Sequence, residues 1–356
     1  MFLELEARQF RNLQPLHRSF GVGAHLILGD NGAGKTSLLE AIYLLATTKS
    51  FRTARLAECR RHGSHGFHLG AEVEGVVRSR LEIDHGPDGS ERRLNGKKGG
   101  PLSEHLAVLP VVCWTTGDIS MLVGAPEERR RFLDRGVVAA QPTSIAIYTR
   151  YRRAMDAKRN LLRQGGSKEE IEPWNALLAE AAGRLIHLRS EYVSRLDVAL
   201  AGVLETCTLG FPPISVRYKP SPNCGLDGPS AIAEELATVL DRERKLERPL
   251  VGPHRDELLI LWDGHPIRRV ASAGERKALG LALFAAQGQV LSAGGREPLY
   301  LLDDADSELD RHRLGSLWKV FGASGQLLAT SNRPQIWDGL ELSDKWRCAD
   351  GSIEPL

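Results

Sequence analysis

Eight residues, Gly29-Asp30-Asn31-Gly32-Ala33-Gly34-Lys35-Thr36, constrain this chain more than any others. They follow a short apolar run, Ala24–Leu28, that reads as a buried strand, and they precede Ser37–Leu45, whose spacing reads as a helix. Strand, glycine-rich turn and helix in that order are the context that the pattern Gly-x-x-x-x-Gly-Lys-Ser/Thr requires. Glycines at 29, 32 and 34 let the backbone curl until successive N–H groups face inward. Those amides and the following helix N-terminus make an anion cradle. Lys35 is placed to reach the outer phosphates of a nucleotide, and the Thr36 hydroxyl to ligate Mg²⁺. A glycine-rich turn that fits by accident is the alternative, and the flanking strand and helix weigh against it.

A phosphate loop of this kind works with a carboxylate at a second strand tip. Leu299-Tyr300-Leu301-Leu302 is apolar throughout and ends in Asp303-Asp304. Asp303 fits the acid that holds Mg²⁺ through water. Asp304 stands where a general base orients an attacking water. Acids capping a strand are ordinary in isolation; the phosphate loop in the same chain is what gives this pair its reading. Together the two motifs predict a site for ATP and Mg²⁺ built from opposite ends of the sequence.

The material between them changes character. Phe2–Glu6 alternates like a half-buried strand, residues 67–110 read as β-rich with a hairpin turn at Asn95-Gly96, and Val108–Trp114 reads as another strand. After Pro126 the chain becomes helical and charged: Glu127–Arg163, weak near Gln141-Pro142, then a break at Gly165-Gly166-Ser167. A second helix is expected to start near Pro173 and run to about Cys207, giving an antiparallel hairpin with arms of about 50 Å. Residues 210–230 read as loop around one strand, followed by helix at Ala231–Leu246, strand at Leu258–Trp262 and helix at Gly274–Leu291. Gln326–Ser331 reads as the last core strand. The expected domains are an ATPase lobe from 1–110 and 291–356 and a helical lobe from 111–290.

Among 356 residues, 42% are hydrophobic and 26% charged, the balance of a water-exposed globular protein, and the net charge is only +2, so any basic surface must be local. Five scattered cysteines argue for buried thiols in a reducing compartment. No apolar run is long enough to span a membrane and the N-terminus is unlike a signal peptide, so a cytoplasmic protein is expected. Arg150, Arg152, Arg153, Lys158, Arg159 and Arg163 crowd one helical stretch and suit sequence-independent phosphate contacts, with a solvated charged face as the alternative.

Further runs carry a resemblance. Asp304-Ala-Asp-Ser307-Glu308-Leu309-Asp310 looks like the D-loop of ABC ATPases. Gln9-Phe-Arg11-Asn12-Leu13, Ser50-Phe51-Arg52-Thr53, Gly124-Ala-Pro126 through Asp134, Gly252-Pro253-His254-Arg255-Asp256 and Ser272-Ala273-Gly274-Glu275-Arg276-Lys277 follow in order. Together they resemble the RecF family across nearly the whole chain. The resemblance implies an α/β fold, an ABC-type P-loop ATPase head with an inserted, mainly helical, signature-bearing lobe. It implies ATP bound by Gly29 to Thr36 with Arg11 and Asn12, and a homodimer formed on ATP in which Ser272 and Gly274 face the partner's nucleotide. It implies binding of DNA near single-strand/duplex junctions, with Arg52 able to couple DNA to nucleotide. RecR, RecO and RecA are the implied partners, in recombinational repair, replication and the SOS response, with only weak ATPase activity.

The sequence departs from the family at Ala273 and Glu275, where Gln-rich signatures are usual, and at Thr115-Thr-Gly-Asp118. Ser272 also reads as an ordinary helix N-cap. His254 and Arg255 equally read as loop residues around Asp256. A structural SMC-like head is the rival, and it needs far longer helical arms. A transporter subunit and an ATPase with an appended nuclease fit less well.

Overall fold

A computed structural model describes every residue but Ser324, with the side chains of Cys224 and Arg269 left aside. The chain divides into two compact units, one comprising Met1–Ile119, Ala199–Phe211 and Ala271–Leu356, the other Ser120–Val198 and Pro212–Val270.

The first unit holds two six-stranded sheets. One is antiparallel, with Phe67–Val73 and Ser79–Gly86 at its centre and Leu16–Ser19 and Lys97–Lys98 at its edges. The other runs Ser352–Pro355, Asp344–Ala349, Gly23–Leu28, Gln326–Ser331, Leu299–Leu302, Val111–Trp114. Its strands pair in parallel except for the hairpin Asp344–Ala349/Ser352–Pro355. The helix Lys35–Thr47 packs into a core shared by both sheets, where Leu38, Ile42 and Leu45 are fully buried. A helix apolar on nearly all sides can be stable only when enclosed in this way. Helix Ala273–Ala293 is buried almost along its length, and its Phe284 ring meets the Trp114 ring edge-on at 5.2 Å.

The division differs from the expected domains. Strand Val111–Trp114 pairs with Leu299–Leu302, and the signature helix Ala273–Ala293 groups with the same unit, so neither belongs to the helical insertion. Residues Leu102–Val108 form a helix where strand was expected. Beyond the anticipated last core strand, Asp344–Ala349 adds a further parallel neighbour to Gly23–Leu28.

The second unit is mainly helical. Pro126–Ala140 and Ile145–Arg163 are separate helices, broken by a short 3-10 turn at Pro142–Ser144 where proline denies a backbone donor. The next helix runs Lys168–Cys207, 40 residues or about 60 Å. It starts before Pro173, which lies inside the helix and leaves the Glu169 carbonyl without the N–H an ordinary residue would supply. Tyr151, Ala154 and Met155 pack against Leu178, Ala182 and Ile186, and Leu162 against Ile171, the pairing of an antiparallel hairpin. A three-stranded sheet of Ile214–Lys219, Glu257–Trp262 and His265–Pro266 completes it.

Candidate functional site

The phosphate loop lies between strand Gly23–Leu28 and helix Lys35–Thr47, at the carboxyl end of a parallel sheet, where ligands of such sheets bind. Lys35 is only 4% exposed, and its ammonium donates to the carbonyls of Gly29 at 2.8 Å and Asp30 at 3.0 Å. A cavity of about 640 Å³ opens over Asn31, Gly32, Gly34, Lys35 and Thr36, and Arg11, Asn12, Arg52 and Asp304 also line it.

Opposite ends of the sequence meet here. The Thr36 hydroxyl reaches the Asp303 carboxylate at 2.9 and 3.0 Å. Thr330, on the strand between theirs, donates its hydroxyl to Asp303 at 2.8 Å and accepts the Asp304 N–H at 3.0 Å. One threonine thereby fixes both acids. Burial raises the Asp303 carboxyl above its ordinary value, and the neighbouring Asp304 adds to the rise. Burial raises the Asp304 carboxyl too, and nearby Asp306 works in the same direction. Asp304 adopts φ 46°, a left-handed backbone rare for residues other than glycine, and its Oδ1 is buried without a hydrogen-bond partner among the described residues. A strained, acid-rich turn with an orphaned carboxylate oxygen fits a bound cation and an ordered water.

Arg11 forms a two-pronged pair with the fully buried Glu40, at 2.8 and 2.6 Å, and Arg52 joins it at 3.3 Å. Asn12 donates to the Gly32 carbonyl at 2.8 Å and accepts from Ser37 at 2.8 Å. Sequence reasoning overlooked Glu40 and Thr330. A lone acid in the otherwise apolar Ser37–Leu45 was the available signal for Glu40. None existed for Thr330.

Ser272 is the N-cap of Ala273–Ala293 and forms a capping box with Glu275, whose carboxylate accepts the Ser272 N–H at 2.8 Å and hydroxyl at 2.7 Å. A Cβ on Gly274 would lie 2.6 Å from the Arg313 guanidinium. Lys277, five residues past Ser272 in sequence and 3% exposed, donates to the Asp304 carbonyl at 3.1 Å and to the Ser307 hydroxyl. The signature turn is thus tied to the acidic loop of the same chain.

The expected DNA-facing set needs one correction. Lys158 is fully buried and pairs with the fully buried Glu243 at 2.6 Å, because Tyr151, Met155, Lys158 and Leu162 form the inward face of Ile145–Arg163. Arg152 and Arg153 are exposed, Arg150 reaches Glu180 at 3.4 Å, and Arg159 pairs with Asp156 at 2.8 Å. In the Gly252–Asp256 run, Asp256 is a buried hub that accepts from Arg189 at 2.6 Å, from the Ser221 N–H at 2.7 Å and from Tyr218. His254 meets the Tyr151 hydroxyl at 2.9 Å. These bonds give that motif a structural task within the second unit. Cys59, Cys113, Cys207 and Cys348 are buried thiols outside any disulfide, and Cys224 lies outside the described side chains.

Residues 4–162 match the AAA domain family. A DNA replication and repair protein RecF from Anaeromyxobacter sp. (strain Fw109-5) is 37% identical over 316 residues, spanning 86% of this chain and 85% of its own. The RecF of Photorhabdus laumondii subsp. laumondii is 32% identical over 98% of this chain and 96% of its own. A solved structure of the recombination mediator protein RecF with ATP, in the RecFOR pathway, superposes with a TM-score of 0.88 at 25% identity, covering 100% of this chain and 97% of its own. An Smc head bound to the C-winged helix domain of ScpA shares the fold, with a TM-score of 0.59 at 16% identity over 100% of this chain and 96% of its own. No described helix is long and apolar enough to cross a membrane. The chain belongs to the RecF family of DNA replication and repair proteins.

Proposed function

We propose that this chain binds Mg²⁺·ATP at the loop Gly29–Thr36, dimerises on it, grips DNA in that state, and lets go after slow hydrolysis. The observation that carries the reading is the bond from the Thr36 hydroxyl to the Asp303 carboxylate, at 2.9 Å, beside the orphaned oxygen of Asp304. Thr36 and Asp303 would hold Mg²⁺, whose charge offsets that of the phosphates and polarises them for attack. Lys35 exchanges its two carbonyl partners for phosphate oxygens. Asp304 orients the water. Ser272 and Gly274 meet the nucleotide of the second copy in the dimer. Arg150, Arg152, Arg153 and Arg159, with Arg52 at the nucleotide cavity, provide the DNA contacts. The family points to RecR and RecO as partners, RecA loading at gaps as the outcome, SOS induction as a consequence, and the cytoplasm as the place.

ATP turnover with and without gapped DNA, together with light scattering with and without Mg²⁺·ATP, tests the whole scheme. Expected are a monomer that becomes a dimer on Mg²⁺·ATP and turnover that rises with DNA. A protein that stays monomeric in saturating ATP would end the dimer mechanism.

A further inference from the structure

The hairpin Asp344–Ala349/Ser352–Pro355 was absent from the sequence reading, yet its turn presses against the phosphate loop. The Gly351 N–H donates to the Ala33 carbonyl at 2.8 Å, and the Cys348 thiol lies 3.3 Å from the same oxygen. Burial pushes the Cys348 thiol up to about 11, so it stays protonated and able to donate. On its other side the Gly351 carbonyl accepts the Gln14 N–H at 3.0 Å. Asn12 then closes the ring back to the loop through Gly32.

Contact is close enough to decide which residues fit. A Cβ on Gly29 would lie 2.2 Å from the Cys348 carbonyl oxygen, and one on Gly34 3.2 Å from the Gly351 Cα. Gly351 itself has φ +80°, and a Cβ there would lie 2.0 Å from the Asn12 carbonyl oxygen. Gly32, in contrast, has open space around it. Two of the three motif glycines are therefore constrained by this hairpin as well as by any phosphate.

We infer that Cys348 and Gly351 are positioning residues for nucleotide binding: they hold the Ala33 carbonyl so that the Gly34 N–H is presented to the phosphates. The reason is peptide geometry. In a planar trans peptide the carbonyl and the following N–H point in opposite directions. Two donors that draw the Ala33 oxygen into the hairpin turn the Gly34 N–H the other way, toward the cavity that Gly34 lines. Without them the peptide can rotate, and ordering it again opposes binding. This inference rests on the proposed Mg²⁺·ATP site.

Equilibrium binding of Mg²⁺·ATP to the full chain tests it, with thermal unfolding measured in parallel without nucleotide. Cys348→Ala should weaken ATP affinity roughly threefold to tenfold, the range for loss of one modest hydrogen bond, while the melting temperature changes little. Cys348→Ser, which restores a donor, should recover part of that loss. Gly351→Ala should weaken binding more than Cys348→Ala; if it fails to fold, the Cys348 pair decides alone. A folded Cys348→Ala with wild-type ATP affinity overturns the inference. Lys35→Met separates the two ideas: if it also binds ATP normally, the site itself is misassigned, whereas if it alone loses binding, only the bracing role falls.

Discussion

Lys35 shows how much a single buried charge is prepared for a ligand. Its partners are two uncharged carbonyls of its own loop, beside the cavity. Lys35→Met should therefore lower ATP affinity by about 10- to 100-fold, the worth of a charged hydrogen bond, while leaving the melting temperature nearly unchanged. Asp303 and Asp304 are neighbours to which the proposed function gives different work. Asp303→Asn should weaken Mg²⁺·ATP binding itself. Asp304→Asn should keep binding and slow turnover by about 10²-fold or more, and its DNA complex should decay more slowly than the wild type's in ATP but equally in a non-hydrolysable analogue. A filter-binding decay series on gapped DNA reads both, and equal lifetimes in ATP would remove hydrolysis as the release step. His105 belongs to the same scale. Its imidazole is buried, holds the Leu45 carbonyl at 2.6 Å, and is pushed down to about 4 by burial. The folded state thus disfavours its protonation relative to the unfolded chain, where the ordinary value is about 6.5. Its stabilising effect is complete above about pH 6.5 and shrinks as pH falls toward 4, by about 3 kcal/mol in all. Urea unfolding of wild type and His105→Leu across that window should show the stability gap between them closing.

At the scale of elements, two helices are informative. The start of Ala273–Ala293 carries the Ser272–Glu275 capping box, so the hydroxyl proposed to meet a phosphate already donates to a carboxylate. That negative charge opposes an incoming phosphate. Glu275→Gln keeps a capping side chain and removes the charge, and it should tighten ATP-driven dimerisation several-fold in light scattering. An unchanged dimer would take this turn out of the interface. In Ile145–Arg163, the buried Lys158–Glu243 pair joins the helix to Pro229–Leu246 within its unit. Lys158→Ala removes the cation facing the buried Glu243 and leaves it, among the described residues, the Leu250 N–H, and should cost about 3–5 kcal/mol in denaturant unfolding. Arg152→Glu with Arg153→Glu lies on the exposed face of the same helix, should leave stability intact, and should lower DNA affinity with a shallower salt dependence. Unchanged salt dependence would place the DNA elsewhere.

For the molecule as a whole, legibility followed the range of the physics. The phosphate loop was readable because glycine spacing, a flanking strand and a flanking helix are local properties. The strand tip Leu299–Leu302 with Asp303 and Asp304 was readable for the same reason, and residue order alone was enough to place the chain in its family. The helical insertion was visible in its charge and periodicity, though not its edges: Val111–Trp114 and Ala273–Ala293 joined the first unit because their apolar faces find the sheet there. Tertiary structure alone decided which charges are tools and which are scaffold. Lys158 looked the same as its arginine neighbours in sequence, but the helix turned it inward onto Glu243. Asp256 sat in a motif that suggested function and became the hub for Arg189. Thr330 and Gly351, anonymous in the sequence, touch Asp303, Asp304 and the phosphate loop because parallel strand pairing carries them there. Local patterns specify the groups that can do chemistry; the long-range pairing of strands specifies which groups surround them, and no window of sequence contains that information.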